Sequence, residues 1–119
     1  MKKFILFPVL IHECENKNHN LIKDILVKEC KSIFGKIKKG GNNWQADTFN
    51  TNGTYNLLEN KKFDSLNNWV KEQIIEYGNS CGFKGMSIND SEAWFNIYKK
   101  HDYQEAHIHN FYDISAVYY

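Results

Sequence analysis

Trp94-Phe-Asn-Ile-Tyr-Lys-Lys-His-Asp-Tyr-Gln-Glu-Ala-His107-Ile-His109-Asn-Phe-Tyr-Asp113-Ile-Ser-Ala-Val-Tyr-Tyr119 holds two strand-like runs joined by a polar connection with two histidines. Two runs in it alternate as strands do, because successive side chains of an extended chain point to opposite faces. In the first, Trp94, Asn96 and Tyr98 share one face while Ala93, Phe95 and Ile97 share the other. Asn96, set between two aromatic side chains, is expected as a buried hydrogen-bonding group. The second run divides into Ile114, Ala116 and Tyr118 against Ser115, Val117 and Tyr119. Between the runs stand His107 and His109, which in an extended segment point the same way, about 7 Å apart along the chain. Two neutral imidazoles so placed can share an iron, zinc, copper or nickel ion if a third ligand comes from elsewhere. The bland alternative is two ordinary hydrogen-bonded histidines at a strand start, and the nearby Asp102, Glu105 and Asp113 are either ligand candidates or solvated charges.

Upstream of this stretch the chain reads as scaffold. Phe4 to Ile11 is an apolar run suited to a strand, with Pro8 consigning it to an edge or a bulge. Asn18 or Asn20 can start a helix whose apolar residues Ile22, Ile25, Leu26, Ile33 and Ile37 recur at helical steps, widened by Leu21 and Phe34. Gly35 or the pair Gly40-Gly41 supplies its stop. Gly40 to Gly53 is polar and turn-rich around Trp44, a loop with at most a short strand near Trp44 to Phe49. Phe63, Leu66, Val70, Ile74 and Tyr77 then outline a second helix, ended by Gly78 or Gly82. A connector from Lys84 to Ser91 has room for a short strand around Met86 and Ile88.

Composition sets the outer bounds. The 119 residues suit one domain, and 42% hydrophobic, 15% aromatic and 24% charged content is that of a globular chain with a β-rich core. A formal net charge of +1 gives no reason to expect nucleic acid. Cys14, Cys30 and Cys81 form no metal-binding or redox motif, and are expected as reduced, buried small hydrophobes. The start imitates a signal peptide but is interrupted by Pro8 and lacks a cleavage site, and no segment reaches membrane-span length. Gly40-Gly41 has no following Lys-Ser/Thr and is a turn, not a phosphate cradle. The expected setting is the cytoplasm.

The terminal stretch resembles a family of Fe(II)/2-oxoglutarate-dependent oxygenases of marine bacteria and their phages. That family's segment runs Trp-x-Asn, a Gly-Asp-Tyr turn, His-x-His-Pro and Ser-Gly-Val-Tyr-Tyr. Leu6-Phe7-Pro8, Asn42 to Gln45 and the helix from Phe63 follow in the family's order. The resemblance implies an α+β fold in which an N-terminal strand and two helices pack on a partial double-stranded β-helix, or jelly-roll, sheet. It also implies Fe(II) and 2-oxoglutarate as cofactors and hydroxylation of an unassigned substrate. His107 becomes the first metal ligand, with His109 in the slot where related enzymes carry an acid. Asn96 and Tyr98 are implied as cosubstrate-binding residues, and Ser115 and Tyr119 as cavity lining. Three positions depart from the pattern: His101 stands at the turn glycine, Asn110 at the proline after the motif, and Ala116 at the glycine of Ser-Gly-Val-Tyr-Tyr. A left-handed backbone at His101 is less comfortable than at glycine.

In the family, further strands follow Tyr119 and carry a distal histidine and an Arg or Lys for the 2-oxoglutarate carboxylate. Residues 1–119 are therefore expected to be the N-terminal portion of this fold, ending after the His-x-His strand. A second polypeptide or a homodimer would complete the sheet, and host cytoplasm would be the setting if the chain is phage-encoded. The alternative expectation is a non-catalytic remnant of the fold that binds a partner or its own copy. A zinc or nickel site built on the same two histidines is a third.

Overall fold

The computed structural model describes residues 9–37, 39–40 and 48–119. In chain order it places helix α1 (His19–Ile33), strand β1 (Phe49–Asn50), two short 3-10 turns (Leu57–Glu59 and Lys61–Phe63), helix α2 (Asp64–Ser80) and strand β2 (Asn96–Ile97). The class is α+β: two helices with a small two-stranded antiparallel sheet. Leu6-Phe7-Pro8, Asn42 to Gln45 and the Trp44 anchor lie outside the described residues, as does most of the expected first strand. Val9 and Ile11, at its end, are exposed and in no regular element.

The entry to α1 is organised by Asn16, which is buried. Its side-chain oxygen accepts from the Asn18 N–H at 2.8 Å, and its carbonyl accepts from the His19 N–H at 2.9 Å. Asn18 holds the N-cap position without a side-chain cap bond. Ile22, Leu26, Cys30 and Ile33, spaced by four, four and three, form the inward line. Leu21 and Phe34 do not widen it, being 72% and 41% exposed. Gly35, at φ +73°, turns the chain out of the helix.

Asn56 and Asn60 cap the two 3-10 turns, each accepting a backbone N–H two residues on at 3.1 Å. Those turns deliver Phe63, 1% exposed, to the head of α2. The helix passes through Gly78 and ends before Gly82, at φ +86°. Gly78 is not the stop: it sits against the Met86 side chain, and a Cβ there would meet the sulfur. Met86 and Ile88 form no strand.

The core is Ile33, Leu57, Phe63 and Phe95. The Phe63 and Phe95 rings meet edge to face, with centroids 5.8 Å apart. Burying side chains of this size stabilises by about 1.5–3 kcal/mol each. A polar bracket ties α1 to the 3-10 turns. Glu29 accepts from the Tyr55 hydroxyl at 2.9 Å and from the Lys62 ammonium at 2.9 Å, while the Asn60 amide donates to the Tyr55 oxygen at 2.7 Å. The Lys62 bond, then the Tyr55 bond, holds the Glu29 carboxyl below its ordinary range.

In the sheet Phe49 pairs with Ile97 and Asn50 with Asn96. Thr51 continues the ladder. Its N–H donates to the Phe95 carbonyl at 3.0 Å, and its hydroxyl oxygen accepts from the Phe95 N–H at 3.0 Å. Thr48, Asn50 and Thr51 are at most 1% exposed, so part of the segment expected as a polar loop is buried polar structure. Gly40 closes on it, its N–H donating to the Asn50 carbonyl at 2.8 Å, with no room for a Cβ beside the Asn50 side chain and the Asn52 backbone.

Three expectations change. Ile114 to Tyr119 is in no sheet. Instead the chain is held there by Tyr118, whose hydroxyl lies 2.9 Å from His19 Nδ1 and whose ring meets that of Trp69 at 6.0 Å. Cys14 and Cys81 are exposed and Cys30 half-buried, because only Cys30 falls on the inward line of α1. Asn96 is exposed, because its neighbour Phe95 takes the inward face. Among the described residues no helix is long and apolar enough to cross a membrane.

Candidate functional site

β2 leads into a tight turn at Lys99 to Asp102. The Asp102 N–H donates to the Lys99 carbonyl at 3.0 Å, and the Asp102 carboxylate accepts from the Lys99 N–H at 2.8 Å. His101 sits in it at φ +74°, the single non-glycine left-handed residue among those described. The turn that the resemblance assigns to glycine therefore has the glycine-type backbone, held here by histidine. The chain then runs back past Thr48, whose hydroxyl donates to the Tyr103 carbonyl at 2.9 Å.

This return places Gln104, His107 and His109 together. His107 Nδ1 lies 2.8 Å from the Glu105 carbonyl oxygen. A carbonyl can only accept, so Nδ1 carries the hydrogen and the Nε2 of neutral His107 is left with a lone pair. That Nε2 is 3.2 Å from His109 Nε2, with the rings 4.8 Å apart and nearly perpendicular. In the protein alone, the His109 N–H donating to His107 Nε2 accounts for that separation.

Residues on either side of β2 support the cluster at both ends. The Trp94 ring lies 6.1 Å from that of His109. At the other end the Tyr98 hydroxyl donates to Gln104 Oε1 at 2.6 Å, and Gln104 Nε2 stands 3.4 Å from His107 Nε2. Asn96 shares the face with Trp94 and Tyr98 by the alternation of the strand, its side chain exposed between them. Trp94 also walls an open cleft of about 680 Å³ with Tyr55, Asn56, Asn60 and Glu92.

The two implied lining residues fall elsewhere. Ser115 is exposed, and Tyr119 lines a smaller recess of about 300 Å³ with His19, Lys23, Leu26 and Val27. Two residues that motif reading did not single out belong to the site's surroundings. Gln104 touches both Tyr98 and His107. Asn50, opposite Asn96, buries a side-chain Nδ2 with no hydrogen-bond partner. Neither sits in a recognisable motif; the one available signal for Gln104 is its position three residues before His107.

The separation of the histidine pair is also one that two nitrogen ligands of a metal can take. Metal–nitrogen bonds of about 2.0–2.1 Å meeting at right to tetrahedral angles set two ligand nitrogens about 2.8–3.4 Å apart, which spans the observed 3.2 Å. The Nδ1–H bond to a backbone carbonyl is the outer support that metal-bound histidines use to fix their tautomer. Among the described residues no group of three or more His, Cys, Asp or Glu side chains is placed to hold a metal. Cys30 is no nucleophile candidate, since burial pushes its thiol up.

No protein-family model matches the chain, and neither a curated protein nor a solved structure matches it.

Proposed function

We propose that this chain is the iron-binding part of an Fe(II)/2-oxoglutarate-dependent dioxygenase, built on the double-stranded β-helix plan that its terminal stretch resembles. The observation that carries the reading is the convergence of His107 and His109, with the tautomer of His107 set by the Glu105 carbonyl. Bound iron would supply oxygen activation coupled to oxidative decarboxylation of 2-oxoglutarate. The Nε2 atoms of His107 and His109 would hold the ion, with Asn96 and Tyr98 on the neighbouring segment. Those two residues supply hydrogen-bonding groups for the cosubstrate. The substrate enters by the cleft beside Trp94, where amides, two carboxylates and a lysine favour a polar molecule. Further polypeptide supplies the remaining strands and the cation that pairs with 2-oxoglutarate. A reducing cytoplasm suits both Fe(II) and three unpaired thiols.

Anaerobic titration with Fe(II) and then 2-oxoglutarate tests this reading. A weak visible charge-transfer band is expected, and its loss in His107→Ala. No band from the protein together with its completing polypeptide sinks the reading.

A second reading, a self-associating module without catalysis, draws on one feature. Ile108, Phe111, Val117 and Tyr119 are 78–93% exposed on the same terminal stretch. Light scattering separates the two, since a metal-free monomer at high concentration counts against association.

A further inference from the structure

The cleft beside Trp94 carries a chemistry of its own. We propose that it binds a neutral, hydroxyl-rich sugar ring, with the Trp94 indole as the stacking platform and the Asn52 and Asn56 amides reading the hydroxyls. This names the substrate class of the dioxygenase proposed above and rests on that reading for its catalytic meaning. The binding itself rests on the cleft alone.

Size and lining select the class. At about 680 Å³ the cleft falls within the range of about 300–1,000 Å³ usual for small-molecule sites. Such sites are mostly apolar, and this one is not. Its half-buried lining is chiefly one indole, one phenol and three amides, from Trp94, Tyr55, Asn52, Asn56 and Asn60. The charged residues of the cleft, Glu59, Lys61 and Glu92, are all exposed and leave one net negative charge, which disfavours a phosphate or carboxylate ligand. A sugar ring matches what remains. It offers an apolar C–H face to the electron-rich face of an aromatic ring, and hydroxyls that each donate and accept.

The three amides differ in how far the fold commits them. Asn60 spends both amide hydrogens, on the Tyr55 oxygen at 2.7 Å and on Glu29 at 3.4 Å, while its oxygen accepts from the Lys62 N–H. Asn56 accepts from the Leu58 N–H at 3.1 Å and donates to Glu59 at 3.3 Å, which leaves it one N–H and one lone pair. Asn52 has its backbone fixed, the N–H donating to Asn50 Oδ1 at 3.2 Å. Its side-chain amide has no hydrogen-bond partner among the described residues, so its full donor and acceptor capacity is open to a ligand. The Tyr55 ring is seated 6.1 Å from that of Phe95, and its hydroxyl is held by Glu29. Most of the wall is therefore set before a ligand arrives, and Asn52 is the side chain left for the ligand to order.

The experiment is calorimetry and ligand-observed saturation-transfer NMR on the full chain, with and without EDTA. The probes are cellotriose, maltotriose, xylotriose and tri-N-acetylchitotriose, with glucose-6-phosphate and choline as charged controls. At least one neutral trisaccharide is expected to bind with a Kd of about 1 mM or tighter, equally with and without EDTA, and to take up saturation at its ring C–H protons. Trp94→Ala should weaken that binding by about tenfold or more, as loss of a buried aromatic anchor does, while Trp94→Phe keeps most of it. Asn52→Ala should weaken it by about fivefold, the size of one or two net hydrogen bonds. If circular dichroism shows Trp94→Ala unfolded, Asn52→Ala carries the test, since its side chain holds nothing in the fold. No binding by any neutral trisaccharide, tighter binding of either charged control, or wild-type affinity in the folded variants overturns the proposal. Sugar binding by a protein that gives no Fe(II)–2-oxoglutarate band supports the site and removes its catalytic meaning. The band without sugar binding overturns the proposal and leaves the dioxygenase reading standing.

Discussion

The two faces of the segment 94–98, which contains β2, do opposite work. Phe95 points into the core, where it meets Phe63 edge to face and leaves 8% of its surface to solvent. Its neighbours Trp94 and Asn96 are on the other face, with Tyr98, under the cluster of Gln104, His107 and His109. The inner face contributes through apolar area removed from water, and the outer face through polar atoms held at hydrogen-bonding distances. A segment with one buried side separates core packing from the histidine cluster at the spacing of a single residue. Substitutions on one face should therefore leave the other largely intact.

The largest effect that would break this division is on the inner side. Phe63→Ala should cost about 3–5 kcal/mol in a denaturant titration, since the ring is buried and its neighbours are packed around it. Loss of metal binding in a folded Phe63→Ala protein would show the faces to be coupled.

The bracket at Glu29 comes next. Its carboxyl is held below the ordinary value by the Lys62 and Tyr55 bonds, so the folded state binds the proton less readily than the unfolded chain. The stabilisation is complete above the unfolded glutamate value of about 4.3 and is lost as pH falls through the lower folded value. Glu29→Gln should remove about 1–2 kcal/mol at neutral pH and flatten this acid limb. An unchanged limb in that variant would assign it to other carboxylates.

Smaller, and of opposite sign, is the turn. His101→Gly relieves a left-handed backbone and should raise stability by about 1 kcal/mol. The smallest effect is the sharpest for the comparison. His107→Ala should change stability by less than about 0.5 kcal/mol, as exposed side chains do, while abolishing metal binding. A loss of several kcal/mol there would mean that the outer face also holds the fold.

Both helices were legible in the sequence because their apolar residues recur at helical steps, and no other element competes for Ile22, Leu26 and Ile33 or for Phe63 and Leu66. Their edges were less so. Gly78 reads as a stop but is a close-approach glycine under Met86, a relation set by residues outside the helix. The buried polar trio Thr48, Asn50 and Thr51 was not legible either. Thr48 and Thr51 are inside because backbone groups of Tyr103 and Phe95 satisfy their hydroxyls, while Asn50 is inside with its Nδ2 unpartnered, and partners remote in sequence leave no local pattern. The alternation of Ile114 to Tyr119 reads as a strand, but a strand also needs backbone to pair with; no described backbone pairs with it, and Ala116 is exposed like Ser115 and Val117. The histidine pair was visible as a spacing; its 3.2 Å convergence comes from the turn at His101 and the Thr48 bond to Tyr103, which only the folded chain supplies.

The seat of Tyr118 gives the terminal stretch an optical address. Its phenol bonds His19 and its ring lies 6.0 Å from the half-buried indole of Trp69. At that range a tyrosine passes its excitation to tryptophan, and the emission of Trp69 depends on what covers it. Release of the stretch would uncover the indole, shift its emission to longer wavelength and weaken the transfer. The undocking of residues 114–119 can thus be timed by fluorescence once Trp44 and Trp94 are replaced by Phe, with Tyr118→Phe as the variant that keeps the ring and removes the bond.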